Sequence, residues 1–104
     1  KIKSHIGNAL EIIPTLKENW DLVFIDADKE NYINYFKLLI EKLKPNSFII
    51  ADNVLWSGKV VQPNNIFDEE TKVLDEFNKM IQNDNRLENI LLPIRDGLMV
   101  ARVK

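Results

Sequence analysis

Phe24-Ile25-Asp26-Ala27-Asp28-Lys29 is the stretch that decides the fold. The apolar run Leu22-Val23-Phe24-Ile25 stops abruptly at two carboxylates and a lysine. An unbroken apolar run of that length reads as a strand covered on both faces in a parallel sheet. A second run, Phe48-Ile49-Ile50-Ala51, stops the same way at Asp52-Asn53. Between them Tyr32, Tyr35, Phe36, Leu39, Ile40 and Leu43 are spaced as one helical stripe, which predicts a helix over 29–43 with Asp28 as its N-cap. Pro45-Asn46 closes the connection, and the second strand is expected over 47–51. Strand, helix and strand make a βαβ unit, which closes right-handed. Ligands of open α/β sheets bind beyond the carboxyl ends of the strands. Asp26, Asp28, Asp52 and Asn53 all fall on that edge.

Upstream, residues 2–6 alternate apolar and polar and predict a short strand or strand remnant that Gly7-Asn8 breaks. Leu10, Ile13, Leu16 and Trp20 then fit a helical face, with Pro14 near the first turn. The one histidine, His5, has no partner implied by the sequence and reads as a surface or packing residue. Downstream, residues 52–67 have the composition of a loop, unusually long for a compact domain and therefore a candidate for function. Asp68 is expected to cap a helix running to Asn83, with Val73, Leu74, Phe77 and Ile81 on one face. Strands are expected over 87–94 and 98–103, joined as an antiparallel hairpin at Arg95-Asp96-Gly97.

The 104 residues bound one domain. Fourteen Lys and Arg oppose sixteen Asp and Glu, which leaves no electrostatic footprint for nucleic acid or an anionic membrane. No run approaches the ~20 apolar residues of a membrane span, nothing reads as a secretory signal, and a cytoplasmic protein is expected. Cysteine is absent, so disulfides and thiolate-bound zinc are excluded. With three glycines there is no G-x-G-x-x-G and no P-loop.

Asp and Asn oxygens suit hard cations such as Mg²⁺, Ca²⁺ or Mn²⁺. Two carboxylates and an amide would leave coordination positions open, and a cation would relieve the repulsion between the carboxylates. Lys29 could pair with a carboxylate, or act as a base if a nearby cation and burial lower its pKa. Plainer roles fit the same residues. Asp28 suits a cap, Asp52-Asn53 suit a turn, Lys29 suits a solvated surface charge and Trp56 suits packing.

Three segments in register carry a resemblance: F-I-D-A-D-K-E-N-Y from Phe24, A-D-N-V-L-W-S-G-K-V from Ala51, and L-P-I-R-D-G-L from Leu92. Over essentially the whole chain they resemble the cation-dependent O-methyltransferases, the family of caffeoyl-CoA and catechol O-methyltransferases. The resemblance implies a Rossmann-like fold with a mixed seven-stranded sheet, and transfer of a methyl group from S-adenosylmethionine (SAM) to a phenolic oxygen. It implies a divalent cation on Asp26, Asp52 and Asn53, and Lys29 as the base toward the acceptor hydroxyl. It places Gly7, Asn8, Ala9, Asp26 and Asp28 along the SAM site and Trp56 on the acceptor side. A small phenolic acceptor and a homodimer are the implied partners. This chain has Asn8 where many members have an acidic residue or proline, and Ser57 where plant members often have Asn.

The family's glycine-rich turn and the acid ending its second strand have no counterpart here. The expectation is therefore one partial methyltransferase domain over 1–104. It would be the α/β C-terminal half of a Rossmann-like methyltransferase fold, with parallel strands and a terminal antiparallel hairpin. The strand ending at Asp26 would be an exposed edge, and the chain by itself would be inactive. Two other readings compete. A haloacid-dehalogenase-like phosphohydrolase would use Asp26 as nucleophile and Asp28 as acid/base, but Lys29-Glu30 follows where small or β-branched residues are usual. A non-catalytic α/β fragment would self-associate through its exposed edges.

Overall fold

In the computed structural model, which describes residues 1–104, the first apolar run lies in β1 (Trp20–Ile25) and the second in β2 (Leu43–Asp52). They pair in parallel with Ile25 opposite Ala51. The crossover runs through a 3₁₀ turn, Lys29–Asn31, and helix α2 (Tyr32–Ile40). Further on, α3 (Glu69–Asn83) leads into β3 (Leu87–Leu92) and β4 (Leu98–Val103). β4 pairs antiparallel with both β2 and β3, giving the strand order β1-β2-β4-β3. The strand ending at Asp26 is thus at one edge of the sheet, as expected.

The helices bury one face of this sheet. Tyr32, Phe36 and Ile40 of α2 and Leu74, Phe77 and Ile81 of α3 form a continuous core with Ile25, Ile49, Met99 and Ala101 of the strands. Phe77 meets the Tyr32 and Phe36 rings edge-on, at 5.4 and 6.3 Å between centroids. The opposite face is bare: Leu22 and Phe24 are 57 % and 58 % exposed, and Phe48 and Ile90 are exposed beside them. Strands covered on both faces were expected. An apolar run reports a strand's preference, whereas cover depends on which other elements reach it.

Several local expectations also change. Residues 2–6 form no strand, because no neighbouring strand offers them a ladder, and Ile2 and Ile6 are exposed. Asn8 caps a short helix α1 (Ala9–Ile12) by accepting the Leu10 N–H at 3.0 Å. Pro14, which cannot donate and restricts the residue before it, turns the chain into a 3₁₀ segment, Ile13–Thr15. Trp20 therefore belongs to β1. Asp28 occupies the N-cap position of the Lys29–Asn31 turn but makes no capping bond. β2 starts at Leu43 rather than Ser47, with Asn46 at φ +72° accommodating a slip in register between Trp20 and Leu22. Asp68 caps α3 as predicted, accepting the Thr71 N–H at 2.8 Å and its hydroxyl at 2.6 Å. These bonds hold the Asp68 carboxyl down at about 2. β3 ends at Leu92 rather than Ile94, so five residues rather than Arg95-Asp96-Gly97 alone join it to β4, with Arg95 and Gly97 at positive φ.

Candidate active site

Parallel pairing of Ile25 with Ala51 sends the two chains off the sheet side by side at Asp26 and Asp52. The Lys29–Asn31 turn aims the Lys29 side chain back under the edge. There it is 7 % exposed, rare for a lysine. Its ammonium donates to the Ala27 carbonyl at 2.8 Å, to the Tyr32 hydroxyl at 2.9 Å and to Asp26 Oδ1 at 3.4 Å. Burial disfavours the charge, but the Tyr32 hydroxyl and the Asp26 carboxylate outweigh it and raise the pKa. Of the two roles expected for Lys29, pairing with a carboxylate or acting as a base if a nearby cation and burial lower its pKa, the geometry shows the pairing, with Asp26.

Tyr32 is fully buried, and its hydroxyl donates to the Asp52 carbonyl at 2.8 Å. Burial, the largest influence, pushes its pKa up, so it is a neutral donor between Lys29 and β2. Asp26 keeps about half of its side chain exposed and open to further ligands.

Beyond Asp52 the backbone is strained. Asn53, Trp56, Ser57 and Gly58 all have positive φ, which is costly for Trp and clusters at functional sites. Asp96 holds this loop. Its Oδ2 accepts the Asn53 side-chain amide at 3.0 Å and its Oδ1 the Ser57 N–H at 2.5 Å. Its carbonyl accepts the Leu55 N–H at 2.9 Å, and Gly97 accepts that of Val54 at 3.3 Å. The Trp56 ring then lies 5.7 Å from the Lys29 ammonium, within cation–π reach.

Asp26, Lys29, Asp52, Asn53 and Trp56 are therefore brought together. Asp28 is not among them: it turns away to accept hydrogen bonds from the Tyr35 hydroxyl and the Asn31 amide. Those two bonds, Tyr35's first, lower its pKa. An open apolar cleft of about 220 Å³ adjoins Asp26; Ala9, Ile13, Phe24 and Tyr35 are among its walls. Of the residues expected along the SAM site, Ala9 and Asp26 line it and Gly7, Asn8 and Asp28 do not. Tyr32 and Asp96 were not anticipated as site residues. The Arg95-Asp96-Gly97 signal specifies a turn, and only the pairing of Leu98 with Asp52 shows where that turn lands.

No three His, Cys, Asp or Glu side chains stand close enough to hold a metal among themselves. The remaining donor set is two carboxylates and an amide. It suits a hard cation by its chemistry, and the Asn53 amide is turned so that its nitrogen, not its oxygen, is consumed by Asp96.

A family model described as O-methyltransferase matches residues 1–104. Caffeoyl-CoA O-methyltransferase 1 of Eucalyptus globulus is 38 % identical over 112 residues, covering 98 % of this chain and 46 % of that protein. Caffeoyl-CoA O-methyltransferase 2 of Populus trichocarpa is 37 % identical, with the same two coverages. Among solved structures, the SAH-bound Podospora anserina methyltransferase PaMTH1 superposes with a TM-score of 0.82 at 30 % identity, over 94 % of this chain and 47 % of that one. The Bacillus cereus O-methyltransferase in complex with SAH gives 0.79 at 31 % identity, over 92 % and 46 %. The chain spans about half the length of the curated relatives it matches.

Proposed function

Since the chain belongs to the O-methyltransferase family, we propose that it supplies the acceptor-side half of an active site that methylates a phenolic hydroxyl with SAM. The convergence of Asp26, Lys29, Asp52, Asn53 and Trp56 at the carboxyl edge of β1 and β2 carries this reading. The caffeoyl-CoA enzymes among its relatives favour a catechol-like acceptor. SAH in two of the matching structures favours SAM as the donor.

Asp26, Asp52 and Asn53 would hold a divalent cation through oxygen. Such a cation supplies Lewis-acid polarisation of the acceptor hydroxyl and a template for two vicinal oxygens. Lys29 is assigned to the acceptor hydroxyl. As the ammonium that Tyr32 and Asp26 favour, it stabilises the phenolate, and it serves as base only after its own proton has left. Trp56 forms a flat wall over Lys29 and keeps water from the acceptor face. The reaction neutralises opposite charges, so orientation in a water-poor cleft matters more than covalent catalysis. The phosphohydrolase reading is weakened by Asp28, which faces Tyr35 and Asn31 rather than Asp26.

These 104 residues contain no glycine-rich cofactor turn, so SAM binding by this chain alone should be weak and activity absent. Calorimetry on the chain separates the two sides of the reading. Mn²⁺ should bind, Asp52→Ala should abolish that binding, and SAM should show no micromolar association. Unchanged Mn²⁺ affinity in Asp52→Ala would remove Asp52 from the ligand set. Micromolar SAM binding would overturn the division of labour.

A further inference from the structure

Of the residues that hold the Asp52–Gly58 loop from outside, Asp96 of the β3–β4 connection makes the most hydrogen bonds to it. Asp96 spends both carboxylate oxygens and its carbonyl on that loop, and all three take N–H donors rather than a cation. One donor is a side chain whose two ends are nearly equal in shape but opposite in polarity. An Asn amide can rotate by half a turn at little steric cost, so its hydrogen-bond partner decides which atom faces which way. Facing Asp96, the Asn53 Nδ2 donates at 3.0 Å. The flipped amide would set its oxygen against a carboxylate, two acceptors with no proton between them.

We propose that Asp96 is a positioning residue that fixes the polarity of the Asn53 amide, so that Oδ1 and not Nδ2 is presented to a divalent cation at the site. The proposal rests on the cation reading given above. Asp96 itself touches neither cation nor acceptor. It acts through Asn53, and through the Ser57 and Leu55 N–H groups that set the loop's strained path. Partners of metal ligands typically change affinity by ~10–100-fold when altered.

A polarity swap tests it. Asp96→Asn can still accept from Ser57 but can now donate toward residue 53, which favours the wrong amide orientation. In Asn53→Asp a carboxylate faces Asp96 with no proton between them; adding Asp96→Asn supplies the missing donor and again presents oxygen outward. Mn²⁺ calorimetry on the full chain should show Asp96→Asn weakening binding about tenfold when residue 53 is Asn, and strengthening it when residue 53 is Asp. A general loss of structure would weaken both, so the reversal of sign is the signature. In metal-free protein, the Asn53 side-chain NH₂ resonances should also shift upfield in Asp96→Asn, as a bond to a carboxylate is lost. The same sign in both backgrounds, or unmoved Asn53 resonances, would overturn the proposal. Wild-type protein that takes up no Mn²⁺ would instead overturn the cation reading, and the metal-free resonances would still decide the role of Asp96.

Discussion

The two strand exits that form the site begin alike and are held differently. Asp26–Asn31 leaves β1 and is fixed by its own neighbours: Lys29 reaches Asp26 and Ala27, while Asn31 and Tyr35 reach Asp28. Asp52–Gly58 leaves β2 and is fixed from far along the chain, by Asp96, Gly97 and the Asn78 amide on the Val54 carbonyl. The first exit needs only a turn of helix to form. The second needs β4 in register against β2, Leu98 opposite Asp52, before its clamp exists. Its four consecutive or near-consecutive positive-φ residues are conformations the loop would not hold unaided.

The clamp should break most severely at Gly97. A Cβ there would lie 2.5 Å from Leu55 Cγ, and φ is +84°. Left-handed backbone and overpacking together should cost Gly97→Ala about 3 kcal/mol. Urea denaturation measures this directly, and the β1 exit should keep its contacts. A loss below about 1 kcal/mol would mean that the loop moves freely and that the hairpin does not hold it.

The Tyr32 hydroxyl ties the exits together by hydrogen bonds, to Lys29 on one side and to the Asp52 carbonyl on the other. Tyr32→Phe would leave the Asp52 carbonyl and one Lys29 proton without their buried partner. The expected cost is about 2 kcal/mol, again from denaturation. If the variant is as stable as wild type, the two exits are held independently of each other.

This difference in span also sets what the residues reveal unaided. The strand ends at Asp26 and Asp52, the Asp68 cap, the α3 stripe and the terminal hairpin are legible because each depends on residues within a few positions. Lys29 was legible as a site residue but its burial was not, since that follows from Trp56 and Tyr32 closing over it. Asp96 was legible only as a turn former. Its role arises from a contact 43 residues away along the chain, which no periodicity encodes. The bare sheet face is not legible for the same reason: Leu22 and Phe24 have the composition of buried residues, and only the placement of α2 and α3 shows which face is covered.

The smallest expected effect lies in the locally held exit, and pH makes it visible. Burial first, and then the hydrogen bond to Asp28 and its charge, push the Tyr35 hydroxyl up to about 12, against about 10 in an unfolded chain. A raised folded pKa means that the protonated form is the one the fold favours. Between pH 10 and 12 the unfolded chain has released a proton that the folded chain retains. The stabilisation is therefore complete below pH 10 and is lost as pH climbs toward 12. Tyr35→Phe removes this linkage. At neutral pH it should cost under about 1 kcal/mol, because Asp28 is exposed and keeps Asn31 and water as partners. Above pH 10 the deficit relative to wild type should shrink steadily, since only the wild type loses the contribution of this group. Lysine titrations occur in both proteins and cancel in the difference. Urea denaturation of the pair from pH 8 to 12 measures that difference, and a constant gap across the range would show that the fold does not raise the Tyr35 pKa.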